Sequence, residues 1–132
     1  MLVKTDIDGA VVIGDESRSV SVTGVTGTTA NVHAPAAATA AVLTFAATAG
    51  KRWVLNGAEW SYDADPTGGN LKVENGAGTT VFSVAVTKGG PGFIKFDPPI
   101  VGTTNTAVIV TLASGAGAVV GKVNARPYLA KG

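Results

Sequence analysis

Side chains able to exchange protons, attack a substrate or hold a metal are few in this chain. The single histidine, His33, stands two residues before Pro35 in a stretch poor in large side chains. A Ser-His-Asp arrangement needs that imidazole held against a nucleophile by a rigid scaffold, and one histidine cannot build a histidine-rich metal site. Cysteine is absent, so there is no disulfide framework, thiolate zinc site or cysteine nucleophile. Asp6-Ile7-Asp8-Gly9 and Asp63-Ala64-Asp65 each bring two carboxylates close together. Neither continues into the regularly spaced oxygen ligands and closing Glu of a calcium loop. The longer run from Asp63 through Pro66 to Gly69 reads as a turn, in which Asp caps, Pro sets φ and Gly supplies positive φ.

Gly115, Gly117 and Gly121 form a pattern one residue too long for a dinucleotide fingerprint. Alternating β residues follow them, and not the helix whose N-terminus would hold a phosphate. Gly89-Gly90-Pro91-Gly92 reads as a loop. Two-carboxylate hydrolysis needs acids across a cleft. Glu59, Glu74, Asp63 and Asp97 are the available acids, and Glu59 with Asp97 is the pair on which such a hydrolase would rest. Trp53, Trp60 and Tyr62 are candidates for a glycan-binding face, since carbohydrate platforms use exposed aromatic rings. With aromatics at only 6% of the chain, burial beside Phe45, Phe82, Phe93 and Phe96 is the expected fate of the tryptophans. No catalytic residue, metal ligand or cofactor is assigned, and the chain is not read as an enzyme.

The elements that position these residues are strands. Short β-branched or aromatic runs alternate with Gly, Pro, Asn and Asp clusters at the spacing of a sandwich or barrel. The runs fall at 39–47, 51–63, 70–74, 79–87, 92–96, 106–113 and 118–128. Alternation turns Leu71 and Val73 inward with Lys72 and Glu74 outward, and sets Phe82, Val84 and Val86 on one face. Asn75-Gly76-Ala77-Gly78 predicts a hairpin loop, and Ser114-Gly115-Ala116-Gly117 predicts another between the last two strands. Asn56-Gly57, in the middle of 51–63, permits either a turn that sets Trp53 against Trp60 or a bulged continuous strand. The bulge is preferred, because it lets two tryptophans an odd number of residues apart both face inward.

Residues 1–35 differ in texture: Val, Thr, Ser and Gly dominate, large side chains are scarce and Pro35 closes the segment. They read as an extended N-terminal arm that borrows order from the domain or from a neighbour, with 10–13 and 18–22 as pieces able to pair with a sheet edge. Residues 36–132 read as one antiparallel β-sandwich domain. The 132 residues suffice for a single core. Only 14% are charged, against roughly a quarter in average soluble domains. That deficit points to a surface of Thr, Ser, Asn and Gly, or to one covered by another protein. Ten basic residues face nine acidic ones, scattered singly apart from Lys51 and Arg52, which is no nucleic-acid footprint. No apolar run reaches the roughly 20 residues of a membrane helix, and the N-terminus lacks the form of a secretory signal. A soluble protein made in the cytoplasm is expected.

The stretch from Ala49-Gly50-Lys51-Arg52-Trp53-Val54-Leu55 through Trp60-Ser61-Tyr62 is followed by Gly92-Phe93-Ile94-Lys95-Phe96. Then come Ala107-Val108-Ile109-Val110-Thr111-Leu112-Ala113 and Val119-Val120-Gly121-Lys122-Val123. In texture and order this resembles small β-sandwich proteins of tailed bacteriophages, among them jelly-roll head decoration (cement) proteins. The resemblance spans 46–128, leaves the arm unmatched and contains no catalytic motif. It implies a jelly-roll-like fold and a homodimer or homotrimer in the virion, on the outer capsid surface, that clamps neighbouring major capsid proteins. Nucleic acid and membrane are not expected partners. Asp6, Asp8, Asp15, Glu16, Arg18, Lys51 and Arg52 are the candidate capsid or subunit contacts. The alternative is a glycan- or receptor-binding module of a phage tail or fibre.

Overall fold

Period-two alternation sets most of the strands. Ala41, Leu43 and Phe45 of β2 (Ala41–Phe45) are buried while Val42 and Thr44 are exposed. The same holds for Val108, Val110 and Leu112 of β7 (Val108–Leu112), and for Leu71 and Val73 of β4 (Asn70–Asn75). On the outer side of β4, Lys72 and Glu74 form an ion pair at 3.2 Å. The computed structural model describes residues 31–33 and 36–132. The remaining strands are β1 (Asn31–His33), β3 (Lys51–Tyr62), β5 (Thr80–Ala85), β6 (Gly90–Val101) and β8 (Gly121–Lys131), and no helix occurs among the described residues.

Two four-stranded antiparallel sheets result, in the orders β1-β8-β3-β6 and β2-β7-β4-β5. Every chain connection except β4–β5 passes from one sheet to the other. An eight-strand double sheet wound in this order is a jelly roll, the expected architecture. The core lies between the sheets, with Leu55, Tyr62, Leu71, Val73, Val110, Leu112 and Val123 at its centre. Aromatic pairs bridge the sheets: Phe45 with Trp53 at 5.4 Å and Phe82 with Phe96 at 5.0 Å, the latter edge to face.

The single hairpin among the described residues is where Asn75-Gly76-Ala77-Gly78 predicts it, closed by Asn75 N–H to Thr79 O at 2.9 Å. Its glycines at 76 and 78 take φ of 82° and 86°. The second predicted hairpin, at Ser114-Gly115-Ala116-Gly117, is corrected. β7 is already flanked by β2 and β4, so it has no free side for β8. Residues 113–120 therefore cross to the other sheet, where β8 pairs with β1 and β3. The run at 118–128 begins later than expected, at Gly121, and continues to Lys131. Gly90-Pro91-Gly92 lies inside β6 and not in a loop, since Tyr62, Ser61 and Trp60 of β3 pair with it.

β3 is continuous across Asn56-Gly57, and its register shifts there against both neighbours. The bulge sits between Leu55 and Ala58, and it reverses the alternation. Trp53 and Leu55 before it, and Ala58, Trp60 and Tyr62 after it, all point into the sandwich. Gly57 is needed at this point because a Cβ there would stand 2.6 Å from the Ile94 carbonyl oxygen.

Asn31–His33, within the stretch read as an arm, pairs antiparallel with Ala125, Asn124 and Val123 of β8 and is the outer strand of its sheet among the described residues. Backbone hydrogen bonding is enough to make an edge strand from a segment with few large side chains. The predicted pieces at 10–13 and 18–22 lie outside the described residues.

Candidate interaction surface

Residues directly opposed in an antiparallel ladder share a face of the sheet. In the central ladder Glu59 opposes Phe93 on β6 and Asn124 on β8, while Ser61 opposes Pro91 and Lys122. Trp60, Ala58 and Tyr62 face the core, so this alternate set faces outward. The outer surface of the β1-β8-β3-β6 sheet thus gathers Glu59, Phe93, Lys122, Asn124 and Arg126, with Lys95 opposite Gly57. Phe93 is 77% exposed and stands clear of the sheet. A cavity of 530 Å³ opens on one side of it, its lining including Glu59, Trp60, Lys122 and Asn124. A second of 320 Å³ opens on the other side, against Asn56, Gly57, Lys95 and Arg126.

Between the two cavities Arg126 Nη2 donates to Glu59 Oε1 at 3.3 Å. Asn124 Oδ1 is buried and has no hydrogen-bond partner among the described residues. The surface offers one large apolar ring, the Glu59–Arg126 ion pair and the amino groups of Lys95 and Lys122. That set suits binding through shape and hydrogen bonds. Glu59 is the sole carboxylate among the described residues that line either cavity, and Asp97 lines neither, so the two acids considered for hydrolysis are not brought together there.

The other expected residues are placed as follows. Tyr62 is buried, with its hydroxyl donating to Ala113 O at 2.5 Å. Burial raises the phenol above the ordinary tyrosine range, an effect partly opposed by the Asn70 backbone. Trp53 Nε1 donates to Ala46 O at 2.8 Å, and its ring packs on Phe45. Trp60 lies over Gly92, where a Cβ would come within 2.6 Å of Cε2 and Cζ2 of the indole. The proposed glycan face of Trp53, Trp60 and Tyr62 is therefore corrected: the bulge turns all three toward the core. Phe93 is corrected in the opposite sense, from core to surface. Its signal was legible, because in Gly92-Phe93-Ile94-Lys95-Phe96 it shares a face with Lys95 while Ile94 and Phe96 share the other.

Lys51 is exposed and Arg52 half-buried at the start of β3. Asp6, Asp8, Asp15, Glu16 and Arg18 lie outside the described residues. His33 contributes its backbone to β1. The Asp63-to-Gly69 turn is present, but its carboxylates tie separate loops together. Asp63 Oδ1 accepts from Val120 N–H at 2.9 Å, and Asp65 Oδ1 accepts from Gly89 N–H at 2.7 Å. The Gly89 hydrogen bond, with the charge of Lys88 at 3.6 Å, lowers the Asp65 carboxyl below the usual carboxylate range. Among the described residues no cluster of three or more His, Asp or Glu forms a metal-binding group.

No family model and no curated protein matches the chain. Solved structures with a similar strand arrangement include a Bacillus endospore appendage, from a family of disulfide-linked pili, at 14% identity. It covers 79% of this chain and 84% of that one, with a TM-score of 0.48. The CBM36-1 domain of a multidomain xylanase from the hindgut metagenome of Trinervitermes trinervoides is 7% identical. It covers 79% of this chain and 98% of that one, with a TM-score of 0.44. The virus-like particle of the extra small virus of the prawn Macrobrachium rosenbergii is 12% identical over 97% of this chain and 94% of that one, at a TM-score of 0.37. The jelly-roll assignment rests on this chain's own strand order.

Proposed function

We propose that the protein is a virion component that works by surface contact: a decoration protein on the outside of a phage head that stabilises contacts between major capsid proteins. The observation that carries this reading is the outer face of the β1-β8-β3-β6 sheet, where Phe93 stands exposed between two cavities. An aromatic side chain in that position is the kind of anchor that fills a partner's pocket, with polar neighbours forming the rim. Repetition of such contacts over a lattice turns modest single affinities into stable attachment. Purified protein is expected to co-sediment with expanded capsids and to raise their rupture temperature. Phe93→Ser should abolish both effects while leaving the sandwich folded. Undiminished attachment of that variant would remove the surface from the mechanism.

A second reading has its own observation. An exposed ring beside Glu59 and Lys122 also matches what a sugar needs: an apolar face to stack on and hydrogen-bonding groups around it. A glycan panel read by the fluorescence of Trp60, which borders the larger cavity, separates the two. A saturable response that is lost in Phe93→Ser favours the glycan, and no response favours the capsid.

A further inference from the structure

The sheet edges are not equally protected. β6 carries Pro91, Pro98 and Pro99 together with Lys95 and Asp97, residue types that prevent a further strand from adding. β1 is three residues long. β5 reads Thr-Val-Phe-Ser-Val-Ala, without charge or proline, and among the described residues it pairs only with β4. All of its residues but Phe82 are exposed, including Val81 at 47% and Val84 at 38%. Val84 sits opposite Leu71, which is fully buried, so apolar cover stops at the last strand of this sheet.

We propose that β5 accepts a strand from the N-terminal segment of a second copy, centred on Arg18-Ser19-Val20-Ser21-Val22-Thr23. This segment alternates Ser or Thr with Val, so as a strand it sets Val20 and Val22 on one face, able to cover Val84 and Phe82. Residues 24–30 join it to β1, about 23 Å of chain at about 3.3 Å per extended residue, enough to meet a neighbour docked at that edge and too little to pass around the sandwich to its own β5. The position of β1 selects a second copy. β1 lies at the far end of its sheet from β6 and contacts β2, which lies at the far end of the other sheet from β5. Donor and acceptor are thus on opposite sides of the sandwich, a head-to-tail relation that builds rings or rows. Strand addition of this kind draws on backbone hydrogen bonds and needs few particular side chains.

The inference rests on the reading that the chain works within an assembly, but it is tested on the protein alone, so failure to bind capsids leaves its outcome intact. The chain has no cysteine. Full-length protein carrying Ser21→Cys with Ser83→Cys is oxidised mildly and run on a non-reducing gel. Ser19→Cys and Thr23→Cys replace Ser21→Cys to catch a shifted register, and Ala85→Cys replaces Ser83→Cys should loss of the Ser83 hydrogen bond to Asn70 impair folding. A ladder of cross-linked oligomers is expected, absent from each single-cysteine variant and lost on adding Val22→Pro. Three outcomes overturn the proposal. They are a cross-link confined within one chain, a dimer formed by Ser83→Cys alone, which would mean that two β5 edges pair, and no cross-link in any combination.

Discussion

The indole of Trp60 occupies the space that a side chain at position 92 would need. Gly92→Ala should force the ring or β6 to shift, at a cost of about 1–3 kcal/mol for overpacking. The measurement is a lower urea midpoint with an unchanged m-value. Asp65 acts through charge. Its carboxyl titrates below the unfolded value because Gly89 N–H and then Lys88 favour the ionised form. A group whose pKa falls on folding contributes its full stabilisation above the unfolded pKa and loses it as the pH drops through the folded one. Asp65→Asn should therefore be less stable than the parent at neutral pH, and the two should converge once the pH falls below the usual carboxylate range. The difference will be small, since the carboxylate is in contact with water. Denaturation midpoints against pH check both the sign and the window.

At the scale of elements, the bulge in β3 decides which residues become surface. One extra residue reverses the alternation, so Trp53 and Trp60 both pack inward and Glu59 comes outward beside Phe93. Deleting Asn56 would remove the extra residue that β3 carries against β8 and turn one tryptophan into solvent. The expected result is a red-shifted emission with stronger acrylamide quenching, together with a loss of cooperative unfolding. The conflict between an Asn-Gly turn signal and two odd-spaced tryptophans was readable in the sequence. The error at residues 113–120 had a different origin. Local turn chemistry in Ser114-Gly115-Ala116-Gly117 says that the chain reverses, but it carries no information on whether β7 still has a free side. That side is taken by β2 and β4, strands distant in sequence.

At the scale of the molecule, two exposed apolar features stand out among the described residues: the outer face around Phe93 and the β5 edge. They make separable predictions. Phe93→Ser should keep the unfolding free energy within about 0.5 kcal/mol of the parent, as for an exposed position outside the core, and should remove attachment to its partner. The strand addition proposed at the β5 edge predicts association between copies, read by the cross-linking pattern. A variant that retains one behaviour and loses the other would show that the two surfaces act independently.

Strand texture, alternation in β4, the β4–β5 hairpin and the bulge follow from short-range chemistry, because side-chain period and turn residues act within a few positions of themselves. The all-β class was legible for the same reason. The alternation that groups Phe93 with Lys95 was legible too, but which of the two faces turns outward, and so the location of the proposed contact surface, was not. Whether an aromatic residue faces core or solvent depends on register, which is set by strands far apart in the chain. The fold sends Trp53, Trp60 and Tyr62 inward and leaves Phe93 in the open. Only the order β1-β8-β3-β6 against β2-β7-β4-β5 decides which strands become edges, and with them where another molecule can attach.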